Sequence, residues 1–113
     1  SLPPVRLNVA LFEWVIENLC KNAVDAMGGV GVLVISVQET SRYWCIDVAD
    51  TGKGIDKRYF ETVFAPGYTT KKRGWGLGLS LARRIVVEYH SGSIFVKQSE
   101  INKGTIFRIE LKK

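Results

Sequence analysis

Gly74, Gly76 and Gly78 stand at alternate positions behind the basic run Lys71-Lys72-Arg73 and ahead of an apolar-periodic segment. Alternating glycines let a backbone come close to a bulky group. A helix opening directly behind them offers unpaired N–H groups and a positive dipole end to an anion. With three cations on the near side, the stretch 69–81 reads as a phosphate-binding loop with a flexible cover. It is not a P-loop, which needs GxxxxGK[ST]. Nor is it a dinucleotide fingerprint, because the GxGxG spacing is wrong and no strand leads into it.

Asn18 and Asn22 are four residues apart and share a helical face, with Asp25 one turn on. This polar stripe borders the apolar face of its helix, while Glu13, Glu17 and Lys21 occupy the far side. Amide oxygens are hard ligands suited to Mg²⁺, and the amide N–H groups can donate to phosphate. A stripe of solvated amides at a helix boundary has the same pattern. Asp50 shares strand parity with Trp44, Ile46 and Val48, so its carboxylate points toward the core and needs donors there. Gly52 and Gly54 would let a flat ligand lie close; an ordinary Asp-Gly turn reads identically. Thr105 shares parity with Phe107, Ile109 and Leu111. Its hydroxyl faces the same interior and could reach Asp50's ligand directly or through water.

His90 is the only histidine and ends a helix beside Gly92. That position suits a structural or dipole role and leaves no credible Ser/His/Asp or Cys/His set. Cys20 and Cys45 lack CxxC or Cys/His spacing and read as buried free thiols.

These residues must be positioned by a chain of 113 residues, 46% apolar and 24% charged, which is the size and balance of one globular domain. The net charge of +5 favours an anionic partner. It forms no basic stripe interleaved with aromatics, which argues against nucleic acid. No apolar run is long enough for a membrane span, and no secretory leader is visible. The opening Ser1-Leu2-Pro3-Pro4 and the strand-like end read as a domain excised from a longer chain.

Periodicity predicts a helix over 8–27, with Phe12, Val15, Ile16, Leu19, Ala23 and Ala26 inward, Asn8 as N-cap and Gly28-Gly29 as stop. Strands are expected over 31–39 and 43–50, and a short helix over 57–64. A polar loop should run from 65 to 73. A second helix over 76–89 should turn Leu77, Leu81, Ile85 and Glu88 or Tyr89 inward. Strands over 93–98 and 105–111 follow, joined by an Asn102-Lys103-Gly104 turn. The order α, β, β, loop, α, β, β implies an α+β fold: a two-layer sandwich whose mixed, mostly antiparallel sheet is covered on one face by helices.

The order of the motifs resembles the sensor histidine kinases. Glu17-Asn18-Leu19-Cys20-Lys21-Asn22-Ala23-Val24-Asp25-Ala26 is similar to their N box, and Asp50-Thr51-Gly52-Lys53-Gly54-Ile55 to the G1 box. Phe60 to Phe64 with Ala65-Pro66-Gly67-Tyr68-Thr69-Thr70-Lys71 resembles the F box and ATP lid. Gly74-Trp75-Gly76-Leu77-Gly78-Leu79 resembles the G2 box, and Gly104-Thr105-Ile106-Phe107 the closing Gly-Thr-x-Phe. On this resemblance residues 1–113 are identified as the catalytic and ATP-binding domain of a histidine kinase, with the GHKL (Bergerat-type) fold.

The resemblance implies ATP and Mg²⁺ as cofactors. Asn22 would coordinate the metal, with Asn18 assisting. Asp50 would accept from the adenine amino group, with Thr105 closing a water-mediated contact. The implied nucleotide-binding set also holds Lys21, Asp25, Gly52, Gly54, Ile55, Thr70, Lys71, Gly74, Trp75, Gly76, Leu77, Gly78 and Leu79. The lid spans roughly 65 to 75. Many members carry a basic residue where this chain has Asp25. Hydrolytic members carry a Glu four residues before the magnesium Asn, where this chain has Asn18. Glu17 lies about 100° of helix away and is expected to pair with Lys21.

The resemblance therefore implies phosphotransfer to a partner histidine, and no catalytic residue is expected in the segment itself. The implied partners are the chain's own upstream dimerisation and phosphoacceptor helices and, indirectly, a response regulator, with no nucleic acid. The segment should be monomeric and the full protein a homodimer. It would be a cytoplasmic domain, whether or not a membrane anchors the sensor. A regulatory or ATPase module of the same fold, or an anti-sigma-factor-type serine kinase, is the alternative.

Overall fold

The computed structural model describes residues 6–68 and 78–113. Helix α1 spans Val9–Ala26. Asn8 caps it by accepting from the Leu11 N–H at 3.2 Å. It ends where Gly28 and Gly29 take positive φ and the Gly29 N–H returns to the Val24 carbonyl. Phe12, Val15, Leu19 and Ala23 form its buried stripe.

Strands β1 (Val34–Glu39) and β2 (Tyr43–Ala49) form a hairpin; β3 (Ser93–Glu100) and β4 (Gly104–Lys112) form a second. The sheet order is β1-β2-β4-β3, and every pairing among the described residues is antiparallel. One sheet face carries Trp44, Val48, Phe107, Ile109, Leu111, Ile94 and Val96 and packs under the helices. On the opposite face Arg108 donates twice to Asp47, at 2.7 and 2.9 Å, with Lys97 3.5 Å from the same carboxylate. β1 starts three residues later than expected. The Val32 N–H donates to the Thr51 hydroxyl instead of entering the ladder.

The segment 57–64 is two 3₁₀ turns, Lys57–Tyr59 and Thr62–Phe64, rather than one short helix. Asp56 caps the first by accepting from the Arg58 N–H, and Val63 and Phe64 are buried from the second.

Helix α2 spans Gly78–Arg84 and widens into a π-helical turn, Ile85–Tyr89. This corrects the expected face. Leu81 is 42% and Tyr89 63% exposed, whereas Ala82, Ile85 and Val86 are buried. A turn with an extra residue breaks the 3.6 register that would have set Tyr89 behind Ile85. The inward stripe is therefore the i, i+3, i+4 set starting at Ala82.

A bulge interrupts the β3–β4 ladder between Val96 and Gln98. Val96 faces Phe107 on the core side, yet past the bulge it is Ser99 that lies opposite Thr105. The extra residue reverses the parity of the strand end.

Candidate functional site

Asp50 follows β2 directly and is 8% exposed. Its own N–H donates to the Thr105 carbonyl at 2.9 Å. Its Oδ1 accepts from the N–H of Gly52 at 2.8 Å and of Thr105 at 3.3 Å. Two backbone donors therefore aim the carboxylate, and among the described residues no donor reaches Oδ2. An oriented acceptor with a spare oxygen at the edge of the core is suited to a ligand N–H.

The loop after Asp50 is clamped from two sides. The Lys53 N–H donates to the Ala26 carbonyl at the end of α1, and the Lys53 carbonyl accepts from Asn102 in the β3–β4 turn. A side chain at Gly52 would strike the Ala26 carbonyl at 2.5 Å. Gly54 has φ +77°, and a Cβ there would meet the Glu100 carbonyl at 2.2 Å. Both glycines are thus required by the chain's own backbone crossings. These crossings are a reason for both glycines that the sequence did not show, beside the room for a flat ligand expected from it.

Asn18 and Asn22 project from α1, half-buried, and neither amide makes a hydrogen bond among the described residues. Gly78, the first residue of α2, lies against the Asn18 amide: a Cβ there would sit 2.7 Å from Nδ2. The stripe is therefore bounded by the start of α2 at Asn18 and by the Asp50 loop at Ala26. These limits are about 12 Å apart along the helix. The structure thus brings Asn18, Asn22, Asp50, Gly52, Gly54, Gly78 and Thr105 to one side of α1 and the adjoining strand ends. Leu79 and Ile55 pack partly against the core beside them. Lys21 and Asp25 are exposed on the helix surface. Thr70, Lys71, Gly74, Trp75, Gly76 and Leu77 lie outside the described residues, as does most of the expected lid.

Glu17 makes no ion pair with Lys21, which corrects the expected i, i+4 bridge. Its side chain lines an apolar groove of about 280 Å³ with Leu7, Val9, Phe12, Glu13 and Ile16. Both residues are exposed, where such a pair gains little over solvation. His90 joins two elements. Its Nε2 accepts from the Asn8 N–H at 3.0 Å, its Nδ1 lies 3.1 Å from the Ile85 carbonyl, and its ring meets Phe12 edge-on. Every polar atom of the ring is spent on helix ends.

Two side chains have contacts that the sequence did not show. Arg83 donates to the Glu61 carboxylate and to the Ile94 carbonyl, and lies 4.0 Å over the Phe64 ring. It joins the second 3₁₀ turn, α2 and β3. Ser99 lies at the end of β3 with its hydroxyl among the Asp50 loop and Thr105. No pattern of types could have found it, because the bulge sets its face.

No helix among the described residues is long and apolar enough to cross a membrane. The model of the family described as "Histidine kinase-, DNA gyrase B-, and HSP90-like ATPase" matches residues 8–113. The chain is 37% identical over 111 residues, 98% of its length, to the sensor histidine kinase ZraS of Escherichia coli strain K12, of which it spans 23%. It is 37% identical over 94 residues to sporulation kinase C of Bacillus subtilis, covering 83% of this chain and 22% of that one. It thus spans about a quarter of the length of these relatives. Among solved structures, the nucleotide-free catalytic domain of histidine kinase ThkA superposes with a TM-score of 0.84 at 32% identity, over 96% of this chain and 70% of that one. The chain belongs to the histidine kinase-, DNA gyrase B- and HSP90-like ATPase family.

Proposed function

We propose that this chain is the ATP-binding catalytic domain of a two-component sensor histidine kinase, passing the γ-phosphoryl group of Mg-ATP to a histidine on separate dimerisation helices. The observation that carries the reading is the buried Asp50 carboxylate, held by Gly52 and Thr105 through Oδ1 with Oδ2 left for a ligand donor. Asn18 and Asn22 support the rest. Their amides, which make no hydrogen bond among the described residues, lie on the same helix whose end meets the Asp50 loop, where a nucleotide with its base at Asp50 would carry its phosphates.

The donor set fits Mg²⁺. Two neutral amide oxygens on a half-buried face are hard ligands, and the phosphates would complete the shell. Asn22 would hold the ion with Asn18 assisting, and the ion would neutralise charge on the transferred group. The protein's own part is positioning. Asp50 accepts from the adenine amino group, Thr105 makes the second polar contact, and Lys71 with the glycine run would hold the outer phosphates. Lys21 and Asp25 are assigned here only to the rim of the site.

In the transfer, the bond from the γ-phosphorus to its bridging oxygen breaks and ADP leaves with the electron pair. The unprotonated nitrogen of the partner imidazole forms the new P–N bond with its lone pair, and the proton on the other ring nitrogen passes to a base on the partner helices or to water. Glu17 faces the apolar groove formed by the first turns of α1, which supports transfer to a partner over water activation by this chain. The sensor histidine kinase ZraS and sporulation kinase C carry kinase names, and one solved relative is histidine kinase ThkA in complex with response regulator TrrA. By extension, the partners here are upstream helices in a homodimer and, after them, a response regulator. We read the domain as cytoplasmic, the compartment that supplies ATP. The reading is tested by titrating a non-hydrolysable ATP analogue in Mg²⁺ against the wild type and Asp50→Asn.

A further inference from the structure

We infer that Ser99 is a positioning residue that fixes the Thr105 hydroxyl as a hydrogen-bond acceptor, and thereby helps select a 6-aminopurine over a 6-oxopurine. The inference rests on the assignment of Asp50 and Thr105 to the base.

Three contacts meet at Ser99 Oγ. The Ile55 N–H donates to it at 2.7 Å. The Gly104 carbonyl lies 3.1 Å away and the Thr105 hydroxyl 2.7 Å away. A backbone N–H only donates and a carbonyl only accepts, while a serine hydroxyl has one hydrogen and two lone pairs. One assignment places a hydrogen in all three contacts. Ser99 gives its hydrogen to Gly104 and accepts from both Ile55 and Thr105. The reverse choice would leave the Ser99 and Gly104 oxygens facing each other without a hydrogen, in a half-buried place where that is costly.

Thr105 therefore spends its only hydrogen on Ser99. Toward any ligand it has lone pairs alone, as has the Asp50 carboxylate beside it. Two neighbouring acceptors match an exocyclic amino group. A bridging water that gives one hydrogen to Thr105 has one left for an unprotonated ring nitrogen. A 6-oxopurine offers a carbonyl and a ring N–H at these places and is mismatched at both. The β-bulge between Val96 and Gln98 makes this possible, since without it the Ser99 side chain would leave from the opposite sheet face.

The test is the ratio of affinities for Mg-ATP and Mg-ITP. Ser99→Ala frees the Thr105 hydroxyl to donate, so the ATP preference should fall about tenfold, one hydrogen bond's worth of discrimination. Ser99→Thr keeps the hydroxyl and should restore the ratio. With Thr105→Val already present, Ser99→Ala should change the ratio no further. If Ser99→Ala weakens both nucleotides equally, or its effect adds fully to that of Thr105→Val, Ser99 merely supports the loop and the inference is overturned. If the wild type binds no ATP, the nucleotide reading itself falls, a result distinct from an unchanged ratio in a chain that binds.

Discussion

The backbone N–H of Gly52 donates to Oδ1 of Asp50 across 2.8 Å, so the carboxylate is aimed by its own following turn. The same turn is pinned to the end of α1 through Lys53 and Ala26. The position of the acceptor thus depends on the seating of a helix whose other turns carry Asn18 and Asn22.

Asp50→Asn should abolish tight binding of an ATP analogue while leaving the fold intact. The amide can still accept from Gly52, but its NH₂ group would meet the adenine amino group donor to donor. The expected loss is about 1–3 kcal/mol or more, read by calorimetric titration, with circular dichroism as the control. Wild-type affinity in this variant would remove the adenine assignment.

Asn22→Ala should weaken Mg-ATP binding well beyond its effect on adenosine. The side chain contributes a hard oxygen, which the nucleoside has no use for. Titrations of both ligands in Mg²⁺ and in chelator decide it, and an equal loss for the two ligands would remove the metal role.

Arg83→Met should lower stability by about 1–2 kcal/mol. It deletes the donors to Glu61 and Ile94 and the charge over Phe64, while keeping most of the apolar stem. The Glu61 end is exposed, so the bond to Ile94 and the ring contact dominate. Urea unfolding measures the shift, and an unchanged midpoint would contradict the role given to Arg83.

Acid should unfold the chain partly through Asp47. The hydrogen bonds from Arg108 hold its carboxyl below the usual carboxylate range, against burial, which acts the other way. A depressed carboxyl contributes stability that is complete above its unfolded value, about pH 4, and is lost as pH falls through the folded value. Asp47→Asn should flatten that part of the stability–pH curve. It should also lower stability at neutral pH by about 3 kcal/mol, because Arg108 loses its partner in a largely buried pair. An acid limb of unchanged slope in Asp47→Asn would exclude this pair as its source.

The chain alone should hydrolyse ATP very slowly and leave no phosphate on itself. His90 is occupied at both nitrogens by Asn8 and Ile85. Transfer of label from ATP should require the upstream helices, supplied in cis or in trans. Acid-labile label on the chain alone, absent from His90→Ala, would overturn this and the structural role of His90.

Much of the architecture was legible because the relevant signals are local. Asn8 and the Gly28-Gly29 pair mark the ends of α1, and strand parity alone turned Asp50 and Thr105 inward, as observed. Misreadings fell where the period changes. The π turn at Ile85 took Tyr89 off the buried stripe of α2, while Leu81, ahead of that turn, is exposed beside the buried Ala82. The bulge near Lys97 hid Ser99, since parity carried past it points to the wrong face. Gly52 and Gly54 were picked out correctly as special. Their contacts with Ala26 and Glu100, far along the chain, add a requirement that no local pattern encodes.

The Asp47–Arg108 pair stands at the middle of the sheet on the face turned away from α1 and α2, with Lys97 and Glu110 beside it. A sheet roofed on one side leaves its other side as a possible stacking surface for a second sheet. Stacking here would dry Lys97 and the half-buried Glu110 and take the last water from the already largely buried Asp47 and Arg108, a cost set against new contacts of Val34, Phe95 and Ile106. The charges on this face thus weigh against two such domains adhering through their sheets.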